Sequence, residues 1–272
     1  MSSLAALSKE EVFELRKAFE IRQAFQTADE AAILLDRVGV MGTWSAIGSL
    51  PSLGMAVKPG PGMQQLIWDL HEILPDSKRA HYGKVLDGKG TMIAVRLLPA
   101  LVSMAGGISY EDRYSEGRLS SDAHRVARTL ETEGALPANQ LRQASGYGSK
   151  EKGKLFEAAL GELQRQFLIV TTGRVPGTAK FKIVVWDLID RWYPANLLAD
   201  LPFSEATQSV IEQLIQTGGL ILESELISWL KHYPAKVPGD VDALVAADRV
   251  RVRAIVGKTR ALITPENEAR LR

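Results

Sequence analysis

LSSDAHRVARTLETEGALPANQLRQASGYGSKEKGKLFEAALGELQRQFLIVTTGRVPGTAKFKIVVW, residues 119–186, is the stretch whose reading decides the fold. Ser120-Ser121 lead into a segment with Val126 and Leu130 on one face and a glycine stop at Gly134, which predicts an amphipathic helix. A short helix follows and ends at Gly146. The next predicted helix runs from Lys150 to Gln166, with Leu155, Phe156, Ala159, Leu160 and Leu163 on one side. Residues 167–186 then read as two strands joined by a Gly/Pro loop. Helix, helix, turn, helix, strand, wing, strand is the order of a winged helix-turn-helix.

The order returns about 83 residues further on, in SEATQSVIEQLIQTGG, ESELISWLKHY, PGDVDALVAADR and VRVRAIVGKTRALIT. Gly134 corresponds to Gly218, and Leu168-Ile169-Val170 to Val250-Arg251-Val252. Towards the N-terminus, helices are predicted over residues 8–26, over ADEAAILLDRV after Thr27, and over MQQLIWDLHEIL. A hairpin turning at Asp87-Gly88 follows them, which makes this region a divergent third copy. The expectation is a mainly α chain with small β-hairpins, an α+β protein of tandem winged helix-turn-helix modules. The modules divide at 1–108, 109–200 and 201–272.

Bulk composition narrows the chemistry. The 272 residues carry a formal net charge of +1, so a polyanion surface has to come from local clustering. With no cysteine, disulfides, thiolate metal sites and thiol nucleophiles are excluded. The start lacks a basic leader, and no segment approaches the ~20 apolar residues of a membrane span, so a cytoplasmic protein is expected. His71, His81, His124 and His232 show no metal-ligand spacing. No metal or other cofactor is expected.

Between Ser149 and Lys182 the basic residues Lys150, Lys152, Lys154, Arg165, Arg174, Lys180 and Lys182 outnumber Glu151, Glu157 and Glu162. Lys150, Lys152 and Lys154 crowd the start of the predicted third helix, the element that enters the major groove in this architecture. Arg174, Lys180 and Lys182 flank the wing, and Ser149 is a candidate phosphate donor. These seven residues form the candidate DNA-binding surface, a single positive ridge, with duplex DNA, damaged or intact, as the expected partner. The alternative is a set of solvated lysines. The C-terminal copy offers Arg249, Arg251, Arg253, Lys258 and Arg260, either as a second phosphate stripe or as edge-strand protection.

LLPALVSMAGGISYEDRYSEGRLSSDAHRVARTL, GALPANQLRQASGYGSKEKGKLFEAALGELQRQFLIVTTG and WDLIDRWYP together resemble the AlkZ-type DNA glycosylases and the wider AlkZ-related group. The resemblance implies tandem winged helices and a relationship to enzymes that remove alkylated or crosslinked bases. It also implies a Gln-apolar-Gln or Gln-apolar-Asp motif after a Leu-Gly-like helix end, the glutamine positioning the attacking water. The matching stretch is Val38-Gly39-Val40-Met41, then Gly42-Thr43-Trp44. Gly42 has no side chain to hold water and Trp44 is no general base, so the resemblance comes without its catalytic residues.

Other chemical signals are weaker. Gly83 to Thr91, GKVLDGKGT, has Walker A spacing, but no apolar strand precedes it and Val85-Leu86 fill the loop, so a hairpin tip is the better reading. Glu111 and Asp112, in the segment between modules, are the remaining catalytic candidates. Their alternative is to order a linker together with Arg113 and Arg118. Trp68, Trp186, Trp192 and Trp229 read as core, and Trp44 as a candidate for stacking on a displaced base.

Overall fold

In a computed structural model that describes residues 5–177 and 182–271, one arrangement of elements occurs three times along the chain. An amphipathic helix leads to a short strand, then to two further helices, then to a β-hairpin. The leading helices are Ala28–Val38, Ser121–Glu133 and Phe203–Gly218. In each unit the short strand pairs antiparallel with the second strand of the hairpin, so the three sheets share one order. The result is a mixed α/β architecture built on small, chiefly antiparallel sheets.

Local chemistry accounts for most of these elements. Thr27 and Ser120 cap their helices, each side chain accepting from a backbone N–H of the first turn. Gly134 closes Ser121–Glu133 with a positive φ. The hairpin Ala80–Leu86 and Lys89–Ala94 turns through Asp87 and Gly88, both at positive φ, as a two-residue turn of its hand requires. The Walker-like string is therefore spent on two antiparallel strands and their turn.

Elsewhere the sequence expectation needs correction. The first helix spans only Lys9–Arg16, with a 3-10 turn to Phe19. The segment holding Glu111 and Asp112 is a short helix, Tyr110–Ser115, capped by Ser109. The third helix of the central unit is Gly153–Arg165, leaving Lys150 in the preceding turn and Lys152 at the cap. That turn is held open by Arg142, whose guanidinium donates to the carbonyls of Tyr147 (2.8 Å) and Ser149 (2.6 Å).

The central unit has its own core, from Leu119 and Val126 through Phe156 and Leu163 to Trp186. The first unit has one as well, from Phe25 and Leu35 through Leu70 to Met92, and a further cluster joins both outer units with Phe167, Val170 and Tyr193 of the central one. The almost wholly buried helix Leu98–Ala105 packs on Phe203–Gly218, and Val40, Leu86 and Ile93 join Leu214, Leu230 and Leu262 in the largest cluster. The N-terminal residues close onto the last unit: Ala5–Ala6 pair in parallel with Ala254 and Ile255, and Arg16 donates to the Leu220 carbonyl. Among the described residues no helix is long and apolar enough to cross a membrane.

Candidate nucleic-acid interface

Helix Gly153–Arg165 is anchored at one end and open at the other. Towards its C-terminus, Gln164 accepts the Lys84 N–H (3.1 Å) and the Arg165 carbonyl accepts from Tyr233 Oη (2.8 Å), so the first and last units both grip it. At its N-terminus Ser149, Lys150, Lys152 and Lys154 are exposed. Among the described residues no acidic side chain pairs with these lysines; Lys152 Nζ only reaches the Gly146 carbonyl at 3.3 Å. Among the described residues no side chain caps the helix, so its first N–H groups lack an acceptor from a cap. Cations at this end oppose the helix dipole, which disfavours them by about 0.3–1 kcal/mol each. An anion placed there satisfies both the free N–H groups and the lysines.

The hairpin of the central unit, Ile169–Pro176 and Lys182–Leu188, does not extend this surface as the sequence suggested. Arg174 is only 10% exposed and donates to the His71 carbonyl at 2.9 Å, with Glu72 and Asp76 each 3.8 Å away. Lys182 Nζ pairs with Glu72 at 2.6 Å. Both side chains are engaged with helix Met63–Asp76 of the first unit, so the single ridge is corrected to a lysine cluster and a separate inter-unit contact. Lys180 lies outside the described residues.

That contact borders an open cleft of about 510 Å³ lined by Gln65, Trp68, His71, Tyr82, Arg174 and Lys182, among others. Trp68 is 59% exposed, not core. The stripe that buries this helix is Ile67, Leu70, His71 and Leu74, and position 68 stands beside it; the helical period alone was enough to place Trp68 outside. Trp44 is 40% exposed and packs edge-on against Trp68, ring centres 5.1 Å apart. It lies nearly parallel to His71 at 6.1 Å. His71 Nδ1 is 2.7 Å from the Ile67 carbonyl, and burial pushes the imidazole pKa down. Burial raises the pKa of Tyr82, which meets the His71 ring edge-on at 5.1 Å.

Trp44 follows strand Val40–Gly42 through Thr43, which hydrogen-bonds Gly90 across the sheet. A Cβ on Gly42 would stand 2.2 Å from the Ser45 carbonyl oxygen, so the backbone here leaves no room for any side chain.

The remaining candidates are engaged elsewhere. Glu111 Oε2 is 3.0 Å from His124 Nε2, and the Asp112 N–H serves the Ser109 cap. Arg113 is wholly buried and bonds Gln166 and the Gly107 carbonyl, not the acidic pair. In the last unit, Arg249 pairs with Glu212, Arg251 with Asp248 and Glu268, and Arg260 with Glu223 and Asp242. Among the described residues only Arg253 and Lys258 of the predicted stripe stand exposed without a carboxylate partner, and the neighbouring strand edge is partly covered by Ala5–Ala6. Trp186 and Trp229 are buried as expected, and Trp192 is half-buried.

Compared with known proteins, the chain matches the family model described as AlkZ related over residues 25–230. No curated protein sequence matches it. Among solved structures, the Streptomyces sahachiroi DNA glycosylase AlkZ superposes with a TM-score of 0.60 at 13% identity, covering 98% of this chain and 72% of that one. At that identity the likeness is one of fold.

Proposed function

The chain belongs to the AlkZ-related family, and from that premise we propose that it is a cytoplasmic DNA-binding protein of tandem winged helices that lacks the family's catalytic glutamine motif. The three repeated units, taken as modules over 1–108, 109–200 and 201–272, are read as winged helices. Helix Gly153–Arg165 is the element presented to the duplex. The observation that carries this reading is the cluster of Lys150, Lys152 and Lys154 at the uncapped, solvent-facing end of that helix, where local electrostatics disfavour cations. Ser149 adds a hydroxyl beside them. Arg174 and Lys182 support the surface indirectly, by fixing the hairpin against the first unit.

Loss of the glutamine-type chemistry is read from Gly42, whose position has no space for a glutamine, and from Trp44, which cannot activate water. Glu111, already bonded to His124, is a poor substitute base. A second reading, an active glycosylase working through other residues, draws on the exposed Trp44–Trp68 pair next to that same strand, Trp44 serving to stack on a displaced base.

The test is binding of a DNA duplex across a range of salt. Lys150→Ala with Lys154→Ala should weaken binding and flatten the log–log salt dependence by about 0.9 per lysine lost. Affinity and slope unchanged by the double substitution would remove the surface from consideration. Incubation with alkylated or crosslinked duplex, followed by cleavage at abasic sites, separates the readings: no strand breaks are expected from the first, and breaks select the second.

A further inference from the structure

The aromatic cleft at the junction of the first and central units has no part in duplex contact as described above, yet it has the make-up of a binding site. Trp68 presents more than half of its surface to water from a helix whose buried stripe lies elsewhere. Exposing so large an apolar ring is unfavourable, and here Trp44 braces it edge-on. The cleft in front of it, about 510 Å³, falls in the range of small-ligand sites, roughly 300–1,000 Å³. Gln65 and Tyr82 give it an amide and a hydroxyl, both able to hydrogen-bond the edge of a flat ring. Arg174 and Lys182 stand at its wall against Glu72, with Asp76 behind Arg174. Lys182 is exposed and shares Glu72 with Arg174, so its ammonium can turn to a phosphate without leaving Glu72 uncompensated.

We propose that this cleft receives an unpaired nucleobase of a DNA strand, stacked on the Trp68 indole, with Lys182 meeting the strand's adjoining phosphate. Stacking on an aromatic face is tolerant of base identity, because every base offers a π-face. The proposal rests on the DNA-binding reading and adds to it the state of DNA that is preferred: strand with a base already out of the helix, as at a bulge or mismatch.

The experiment compares two duplexes that differ only by one bulged adenine, with the intact chain at fixed low salt. The bulged duplex should bind about tenfold more tightly than the paired one. Trp68→Ala should bring that ratio close to one, and Trp68→Phe should restore much of it, since the phenyl ring keeps a stacking face. Lys150→Ala with Lys154→Ala should weaken both duplexes and leave the ratio standing. Equal affinities in the unaltered chain, or a Trp68→Ala change that weakens both duplexes alike, would overturn the cleft assignment while leaving duplex binding intact. If neither duplex binds, the DNA-binding reading itself has failed. A short single strand of thymidines then decides: binding lost in Trp68→Ala upholds base stacking, and no binding overturns it.

Discussion

Arg174, in the hairpin of the central unit, donates from Nη2 to the main-chain carbonyl of His71, in the helix Met63–Asp76 of the first unit. The residue four positions on is Pro75, which has no N–H, so the His71 carbonyl lacks its helical donor and the nearly buried Arg174 of the other unit supplies one. Glu72 and Asp76 lie on the same helix within 4 Å of the guanidinium, which gives the contact its charge balance.

Replacing Arg174 by alanine leaves the His71 carbonyl without its donor and Asp76 without its cation, while Glu72 keeps Lys182. The expected loss is about 1–3 kcal/mol of unfolding free energy, with Arg174→Lys recovering only part, because an ammonium cannot span the carbonyl and two carboxylates together. Urea denaturation of the three proteins measures it. Equal midpoints would mean that the junction is held by other contacts.

His81 is buried between Phe167 and Tyr193, and among the described residues neither of its ring nitrogens has a hydrogen-bond partner. Burial holds its pKa down to about 4, against 6.5 for the free side chain. The unfolded chain therefore takes up the proton first as pH falls. This contribution to stability is complete above 6.5 and is lost progressively down to about pH 4. The slope reaches at most about 1.4 kcal/mol per pH unit. His81→Phe should remove that part of the acid sensitivity, so denaturation midpoints at pH 7 and 4.5 should draw together relative to the parent. A parallel acid loss in both proteins would assign the effect to other groups.

Gly42 is constrained by the Ser45 carbonyl. Gly42→Ala is expected to cost about 1–3 kcal/mol, the usual range for forcing atoms into filled space. Gly42→Gln should cost at least as much and should yield no base excision, since the side chain can enter only by displacing the 42–45 turn. Thermal melting, with an abasic-site cleavage assay, checks both halves. A stable Gly42→Gln protein that excises alkylated bases would reverse the reading of this position.

Arg260 is tied to Glu223 and Asp242, with the Glu223 pairing first among the causes that raise its pKa. Arg260→Ala should lower stability by about 1 kcal/mol or less and leave duplex affinity and its salt slope unchanged, unlike the loss of Lys150 and Lys154. A flattened salt slope would return this strand to the DNA-facing surface.

By itself the sequence determined the repeated units. Periodic apolar positions in Ser121–Glu133, the stops at Gly39 and Gly134, and the Asp87-Gly88 turn are short-range signals, because helix period, cap chemistry and turn hand are set by residues a few positions apart. The same reach explains why Lys150, Lys152 and Lys154 were legible as a cluster. Only the tertiary structure decided which charges are free. Arg174 meets His71 and Glu72 from about a hundred positions away, Arg260 meets Glu223, and Ala5–Ala6 pair with Ala254 and Ile255 at the far end of the chain. Ion pairs and sheet edges are closed by the packing of whole units, so a cation's sequence position does not reveal whether its partner is solvent or a carboxylate brought in from another module. The cleft before Trp68 exists for the same reason: its walls come from two units, and neither contains it alone.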